Sequence, residues 1–206
     1  MTVDEQTRTE GPRSKRRRIL DAAIDNFGGV GFEHTKWATI ADEVGIGQTA
    51  LYHYFESKVH CLLTIMSNEL ERSLERTRAV TAEVSEPDDK IRVAVAAAFD
   101  VTAREALQER ILMSHQDLLV GERSSQREEA ERQRARELVR EIEHEWAALL
   151  KAGMDAGVFA KQDEVVLARL MLGLINGVWR WYRPKGAHTL AEISDQVVAA
   201  CVRLVH

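Results

Sequence analysis

The placement of proline is the sequence feature that most restricts the fold of this chain. Its 206 residues contain only three prolines, at Pro12, Pro87 and Pro184. Because proline interrupts helices and the interior of sheets, its absence elsewhere leaves two long tracts that can be helical throughout. No segment alternates apolar and polar residues as a half-buried strand would. The sequence therefore predicts an all-α protein with one sizeable core, and its length is compatible with two domains.

Residues 40–58 predict two short helices joined by a turn and followed by the start of a third. Ile40, Ala41 and Val44 form an apolar stripe with helical spacing, and Gly45 can adopt the left-handed conformation that ends a helix. The second helix would leave many hydrogen-bonding and aromatic side chains outside: Gln48, Thr49, Ala50, Tyr52, His53 and Tyr54. This pattern indicates a helix-turn-helix, the arrangement that places a helix in a DNA groove.

A dense run of positive charge, residues 13–18, precedes this segment and is called the basic segment below. Five of its six residues are arginine or lysine, although the net charge of the chain is -5. Such cations can lie against phosphates or reach into the minor groove, and they release counterions. A solvated segment that only keeps the protein soluble is the alternative. Because the predicted helix-turn-helix follows directly, we favour DNA contacts, among them Arg16 and Arg17.

The same region resembles the N-terminal domain of the TetR family of one-component repressors. The resemblance covers residues 14 to 60 and rests on Phe27, Gly31, Phe32, Thr35, Ile40, Ala41, Val44, Gly45, Ile46, Leu51, Tyr52, Tyr54, Phe55, Ser57 and Lys58. It implies a homodimeric repressor that binds a palindromic operator and is released by a small-molecule inducer. It also implies that Tyr52 contacts a phosphate and that Lys58, with the amides at the start of its helix, binds another.

Side-chain chemistry divides the predicted DNA contacts into two groups. Gln48, Thr49 and His53 are short enough to reach base edges in the major groove, and longer side chains would hold the backbone. His53 could instead be a partly buried imidazole, and Tyr54 could be a core aromatic residue. The complete predicted set is Arg16, Arg17, Thr35, Lys36, Gln48, Thr49, Tyr52, His53, Tyr54 and Lys58.

Three regions are expected along the chain. Residues 1–12 would be a disordered tail, residues 13–60 the helix-turn-helix domain, and residues 61–206 a helical ligand-binding and dimerisation domain. The helix predicted from Val165 to Tyr182 is apolar on almost every face, so it must be buried on two sides. Together with the last helix it would form a four-helix bundle between two copies of the chain. The predicted interface residues are Leu170, Leu174, Gly177, Val197, Cys201 and Leu204.

Large or polar side chains on faces that otherwise belong to the core predict a ligand cavity, because buried polar groups need partners. The predicted lining is Phe99, Met113, His115, Gln116, Trp146, Asn176, Trp179 and Arg180. These residues could also hydrogen bond to one another or to the backbone. Residues 179–184 resemble the C-terminal signature of a TetR subgroup that controls steroid and fatty-acid breakdown. That resemblance implies an acyl-coenzyme A or a lipid or steroid catabolite as the inducer. In the alternative, Trp179, Trp181 and Pro184 only anchor the end of the dimer helix.

Other classes of protein are disfavoured by what the sequence lacks. It contains no apolar run of about 18 residues and no hydrophobic signal core, so we expect a cytoplasmic protein without a membrane partner. Cys61 and Cys201 give no zinc-ligand spacing, and neither a metal nor a cofactor is expected. The sequence has no metal-binding histidine pair, phosphate loop or nucleophile elbow, so an enzyme is the weakest alternative. An activator or a constitutive DNA-binding protein without a small ligand is the closer one.

Overall fold

The computed structural model describes residues 11–206, and within this range the chain forms helices and no strand. The described residues form nine α-helices: α1 (Pro12–Gly29), α2 (Trp37–Val44), α3 (Gln48–Tyr54), α4 (Lys58–Ala82), α5 (Pro87–Ala97), α6 (Ala103–Ser114), α7 (Gln126–Asp155), α8 (Glu164–Trp181) and α9 (Leu190–Val205). A short 3-10 helix, Gln116–Leu119, lies between α6 and α7. The all-α prediction is confirmed. Residues 1–10 of the predicted tail lie outside the described range, and Pro12 is already the first residue of α1.

The chain divides into two compact units, one ending at Leu62 and the other beginning at Leu63. The predicted domain boundary lies between residues 60 and 61, inside the first turns of α4. None of the helices within residues 11–206 combines the length and the apolarity needed to cross a membrane.

The first unit has a small core formed by α1, α2 and α3. Helix α1 packs against α2, and the rings of Phe27 and Phe32 meet edge to face with their centroids 5.1 Å apart. Burying such apolar side chains is the main force that holds a unit of this size together. The buried apolar residues are Ile19, Ala22, Ala23, Ile24, Phe27, Phe32, Ile40, Ala41, Val44, Leu51 and Phe55.

A glycine turn sets the direction of α3 after α2. Gly45 has φ 73° and ψ 38°, and its N–H donates to the carbonyls of Ala41 and Asp42. The N–H of Ile46 also donates to the Ala41 carbonyl, at 3.0 Å. This left-handed conformation is costly for residues with a Cβ, so glycine is the natural residue at the end of α2.

The second unit is a helical bundle in which α7 packs against α8 and α5, α5 against α9, and α6 against α8. Two of its helices begin with reciprocal capping boxes, formed by Thr102 with Glu105 at α6 and by Thr189 with Glu192 at α9. Such caps satisfy amides that the helix itself leaves unpaired. The buried apolar residues of this unit include Ile91, Val95, Phe99, Ile111, Leu138, Trp146, Leu150, Leu167, Met171, Ile175, Trp179, Ile193 and Cys201.

Candidate DNA-reading surface and ligand cavity

Helix α3 turns its apolar residues inward and its polar residues outward. Leu51 is fully buried, and so is Phe55, one turn further on. Gln48, Thr49, Tyr52 and His53 are exposed, as their positions on the opposite side of the helix require. The side chains of these four residues make no hydrogen bond within residues 11–206, so their donors and acceptors are available to a partner. Together they form the α3 surface.

Other members of the predicted DNA-binding set are distributed around the first unit. Arg17 and Lys36 are exposed, and Tyr54 is half-buried at the edge of α3. The N-cap of α3 is Gly47, and no side chain caps this helix start within the described part of the chain. The amides of the first turn of α3 are therefore open to an acceptor such as a phosphate oxygen.

The basic segment forms the first turns of α1 and is not an extended arm. Its helix begins after Gly11, with Pro12 in the first helical position. Two of its cations make contacts inside the unit: the guanidinium of Arg16 lies 4.7 Å from the centre of the Phe55 ring, and Arg18 Nη2 donates to the Val44 carbonyl at 3.0 Å. These contacts position α1 against α2 and α3. Arg16 therefore differs from the prediction, in which it was only a DNA contact.

Lys58 and Thr35 also have internal partners, which corrects their predicted role as DNA contacts. Lys58 Nζ donates to the carbonyls of Phe32 at 2.6 Å and Thr35 at 3.0 Å, and it lies 4.3 Å from the centre of the Phe32 ring. The Thr35 side chain is buried and donates to the Gly31 carbonyl at 2.8 Å. Both residues stabilise the turn between α1 and α2. Lys58 is thus a poor candidate for binding a phosphate.

A cavity of about 450 Å³ lies in the second unit between α4, α6, α7, α8 and the 3-10 helix. Its wall combines aliphatic side chains with a few polar and charged groups, which is typical of small-molecule sites. The lining residues are Leu70, Ser73, Glu109, Leu112, Met113, Gln116, Leu119, Val139, Ile142, Glu143, Arg169, Leu172, Gly173, Asn176, Gly177 and Arg180.

Half of the predicted ligand-binding set lines this cavity. Met113, Gln116, Asn176 and Arg180 lie on its wall, and Asn176 and Arg180 are one turn apart on α8. The side-chain amide of Asn176 forms no hydrogen bond within residues 11–206, so it is available to form a hydrogen bond with a polar group of a ligand.

The other half of the set, Phe99, His115, Trp146 and Trp179, is not among the residues that line this cavity. The ring of Trp179 packs against those of Phe99 and Tyr182, with centroids 5.8 and 6.0 Å away. Trp146 is buried, and His115 Nδ1 lies 2.8 Å from the carbonyl of Ile111. His115 therefore has a backbone partner, which is the alternative that the sequence left open, whereas Phe99 and Trp179 pack against aromatic rings.

Sequence reasoning missed the charged part of the cavity wall. Arg169 and Glu143 are ion-paired at 2.9 Å, and Glu109 of α6 lines the cavity while being almost fully buried. Behind it lies Glu69 of α4, which has no exposed surface. The sequence does contain a signal that Glu69 is buried. Glu69 follows Met66 by three residues, so it lies on the apolar stripe of its helix.

Two arginines and a third carboxylate accompany this buried pair. Arg72 Nη2 lies 2.7 Å from Glu69 Oε2, and Glu105 lies within 3.6 Å of Arg72 and 3.8 Å of Arg76. Burial, and next the charge of Glu69, raise the pKa of Glu109 to about 8. Burial also raises the pKa of Glu69, against the opposing effect of the two arginines.

One face of α8 is exposed although it carries large apolar side chains. Leu170 is 58% exposed, Leu174 39% and Trp181 55%, and Leu204 of α9 is also exposed at 39%. Gly177 on α8 has nothing within 4 Å of the position that a Cβ would occupy. A groove between α8 and α9 continues this surface, and Val197 lines it together with Leu174, Trp181, His188, Glu192, Ile193, Gln196 and Ala200.

Cys201 does not belong to this surface, which corrects its predicted place in an interface. Its side chain has no exposed area, and burial raises the pKa of its thiol to about 11. The residue is part of the core between α9 and the rest of the bundle. It therefore behaves as a small apolar side chain.

The similarity to known proteins covers most of the chain. The family described as "Bacterial regulatory proteins, tetR family" matches residues 19–65, and "Tetracyclin repressor-like, C-terminal domain" matches residues 84–205. The HTH-type transcriptional repressor KstR2 of Rhodococcus jostii (strain RHA1) is 26% identical over 205 residues, which cover 97% of this chain and 95% of that repressor.

Solved structures of other proteins have the same fold, and two of them illustrate the likeness. The TetR family regulator PfmR from Thermus thermophilus superposes with a TM-score of 0.77 at 25% identity, covering 90% of this chain and 97% of that one. AibR in complex with isovaleryl coenzyme A and operator DNA superposes with a TM-score of 0.75 at 20% identity, with the same coverage. With both of its parts matched by family models, the chain belongs to the TetR family of transcriptional regulators.

Proposed function

We propose that this protein is a transcriptional repressor that binds a palindromic operator as a homodimer and releases it when a small molecule occupies the cavity of the second unit. The observation that carries the proposal is the α3 surface, where Gln48, Thr49, Tyr52 and His53 have no hydrogen-bonding partner within residues 11–206. The membership of the chain in a family of regulators supports the same reading. The protein would act by binding, without catalysis, in the cytoplasm.

In this proposal the α3 surface lies in the major groove. Gln48 can pair with adenine, and Thr49 can contact either a polar base edge or the methyl group of thymine. Tyr52 and Lys36, with the open amides of the first turn of α3, would bind phosphates and fix the register. Arg17 would add a phosphate contact from the exposed side of α1.

The exposed apolar face of α8 supports the homodimer. Val166, Leu170, Leu174 and Trp181 are spaced by four, four and seven residues, so they line one side of the helix. A monomer in water rarely leaves such a continuous apolar face uncovered. We propose that the same face of a second copy covers it, which would bring two α3 surfaces to half-sites ~34 Å apart.

An acyl-coenzyme A thioester is the ligand class that we propose for the cavity. The wall offers aliphatic side chains for an acyl chain, and Arg180 is a cation at its exposed side for a phosphate of the coenzyme. The AibR structure is described as a complex with isovaleryl coenzyme A, so a protein of this fold can hold a thioester.

Selection of an operator from random DNA, followed by binding measurements, tests the DNA-binding part of the proposal. Replacing Gln48 or Thr49 by alanine should weaken binding to the selected operator by about 1 to 3 kcal/mol and leave non-specific binding nearly unchanged. Equal losses on operator and random DNA would contradict the assignment of base contacts.

Sedimentation measurements test the dimer separately. Leu170→Glu should place a charge in the proposed interface and yield monomers that bind a palindromic operator poorly. Val120→Glu is the matched control, since Val120 is also exposed but lies in the turn after the 3-10 helix. A Leu170→Glu variant that remains dimeric would show that another surface forms the dimer interface.

A further inference from the structure

Buried apolar side chains do not hold the wall that the 3-10 helix contributes to the cavity. Gln116 and Leu119 line the cavity from this segment, yet every residue from 116 to 121 is exposed or half-buried. The other walls are α-helices with buried apolar residues, among them Leu70 of α4, Leu112 of α6, Leu138 of α7 and Met171 of α8. A segment that buries little apolar surface opens easily unless other bonds hold it.

Two arginines hold this segment through its main chain. Arg132, in the second turn of α7, is 4% exposed, and its Nη1 donates to the Leu119 carbonyl at 3.0 Å. Arg123, in the loop before α7, donates from Nη2 to the Leu118 carbonyl at 2.9 Å. Hydrogen bonds from a charged group are stronger than those between neutral groups. The end of the 3-10 helix is therefore tied to the start of α7.

The carboxylate of Glu129 positions both arginines. It accepts hydrogen bonds from Arg132 Nε at 2.7 Å and Nη2 at 2.6 Å, and from the backbone N–H of Arg123 at 3.0 Å. The bonds from Arg132, and next the bond from the Arg123 amide, lower the pKa of Glu129 to about 2, so the group is ionised at neutral pH. Because a guanidinium is planar, the two bonds to Glu129 also fix the direction of Nη1, which points to Leu119.

We propose that the Glu129–Arg132 pair is a latch that holds the 3-10 helix against the cavity, and that a ligand enters and leaves through this wall when the latch opens. Neither residue lines the cavity, so both are positioning residues that act through Gln116 and Leu119. Segments of low stability are the ones that move when a site opens. The part of the proposal that concerns the ligand rests on the proposed function, whereas the part that concerns the wall does not.

Hydrogen exchange of the ligand-free, full-length protein tests the latch without any ligand. Arg132→Met keeps most of the side-chain length and removes the donors. The amides of Leu118 and Val120, which donate within the 3-10 turn, should then exchange about tenfold faster, the effect of losing a hydrogen bond from a charged group. Amides of α8 and α9 should not change. Lys151→Met, which breaks an exposed ion pair on the same helix, is the matched control and should leave all these rates unchanged.

Stopped-flow kinetics of decanoyl-coenzyme A test the role of the wall in ligand exchange. The latch holds the wall in the free and in the bound protein, so weakening it should raise the association and dissociation rates together. We expect both rates to rise about tenfold in Arg132→Met, while the equilibrium affinity changes little. Faster dissociation with an unchanged association rate would show a lost contact with the ligand, and would overturn the proposed route.

Two further variants keep the test decisive if Arg132→Met folds poorly in thermal melting. Arg132→Lys has one ammonium group, which can reach either Glu129 or the Leu119 carbonyl but not both, so its rates should lie between those of the wild type and Arg132→Met. Glu129→Gln removes the charge at a partly exposed position and keeps an acceptor oxygen. It should raise amide exchange and both ligand rates severalfold.

The possible results separate the latch from the proposed ligand. Unchanged exchange at Leu118 and Val120 in Arg132→Met and in Glu129→Gln would overturn the latch, whatever the ligand is. Faster exchange with unchanged ligand rates would show that the ligand uses another route, which would overturn the proposed role of this wall. If decanoyl-coenzyme A did not bind the wild-type protein, the proposed ligand class would fail, and the exchange rates alone would decide on the latch.

Discussion

The two units of this chain carry their proposed functions in different ways. In the first unit the side chains proposed to read bases all come from one short helix, α3, and they are exposed. In the second unit the cavity wall is assembled from four helices and a 3-10 helix. A site on one helix face depends on local periodicity, whereas a cavity between helices depends on how several helices are aligned. In the first unit, substitutions should therefore change either DNA binding or the free energy of unfolding. In the second unit, more substitutions should change both ligand binding and stability.

Neighbouring residues of α3 provide the test with the largest expected effect. Leu51 is fully buried, so Leu51→Ala should lower the free energy of unfolding by about 3 kcal/mol, as core truncations do. Tyr52 is exposed by half, and Tyr52→Ala should change stability by less than about 0.5 kcal/mol while weakening operator binding. Urea denaturation and DNA titration of both variants measure this. Similar losses of stability would show that the α3 surface also holds the unit together.

In the second unit a glycine allows a close approach that can be tested in the same way. A Cβ added at Gly153 would overlap the ring of Phe159, which is buried. Gly153→Ala should therefore destabilise the protein by about 1 to 3 kcal/mol. Gly173→Ala is the matched control, since open space surrounds that position and alanine favours a helix. Chemical denaturation gives both values, and a neutral Gly153→Ala would contradict the packing of α7 against its following loop.

The smallest expected effects distinguish two cations of the first unit. Arg17 is exposed, so Arg17→Ala should reduce the salt dependence of DNA binding by about one unit of slope. Lys58 donates to two backbone carbonyls inside the unit, so Lys58→Met should lower the free energy of unfolding by about 1 kcal/mol and leave the slope unchanged. A reduced salt dependence of DNA binding for Lys58→Met would instead support the phosphate contact that the sequence predicts.

The fold followed from the sequence because proline, glycine and apolar spacing are local signals. They gave the all-helical class, the turn at Gly45, and the opposed faces of α3 at Leu51 and Gln48. These local signals do not predict which groups the long polar side chains contact. Lys58 and Arg16 reach back into their own unit, and only the three-dimensional contacts reveal it.

Only half of the predicted ligand-binding residues line the cavity, and the reason is similar. Asn176 and Trp179 are three residues apart on α8, yet one lines the cavity and the other packs against Phe99. The sequence shows that Asn176 and Trp179 are both unusual side chains for a core helix. Which of them faces the cavity depends on the rotation of α8 relative to α6 and α7. Glu109 was missed because a single acid on a helix is normally a solvated residue.

The central claim is that one chain couples its cavity to DNA, and calorimetry of decanoyl-coenzyme A with and without the selected operator tests it most directly. If the ligand releases DNA a hundredfold, operator DNA must weaken ligand binding by the same factor, about 2.7 kcal/mol, because coupling between two sites is reciprocal. We therefore expect a hundredfold lower affinity for decanoyl-coenzyme A when the protein is saturated with operator. Equal affinities in the two titrations would contradict ligand-controlled release and indicate a DNA-binding protein that does not respond to this ligand.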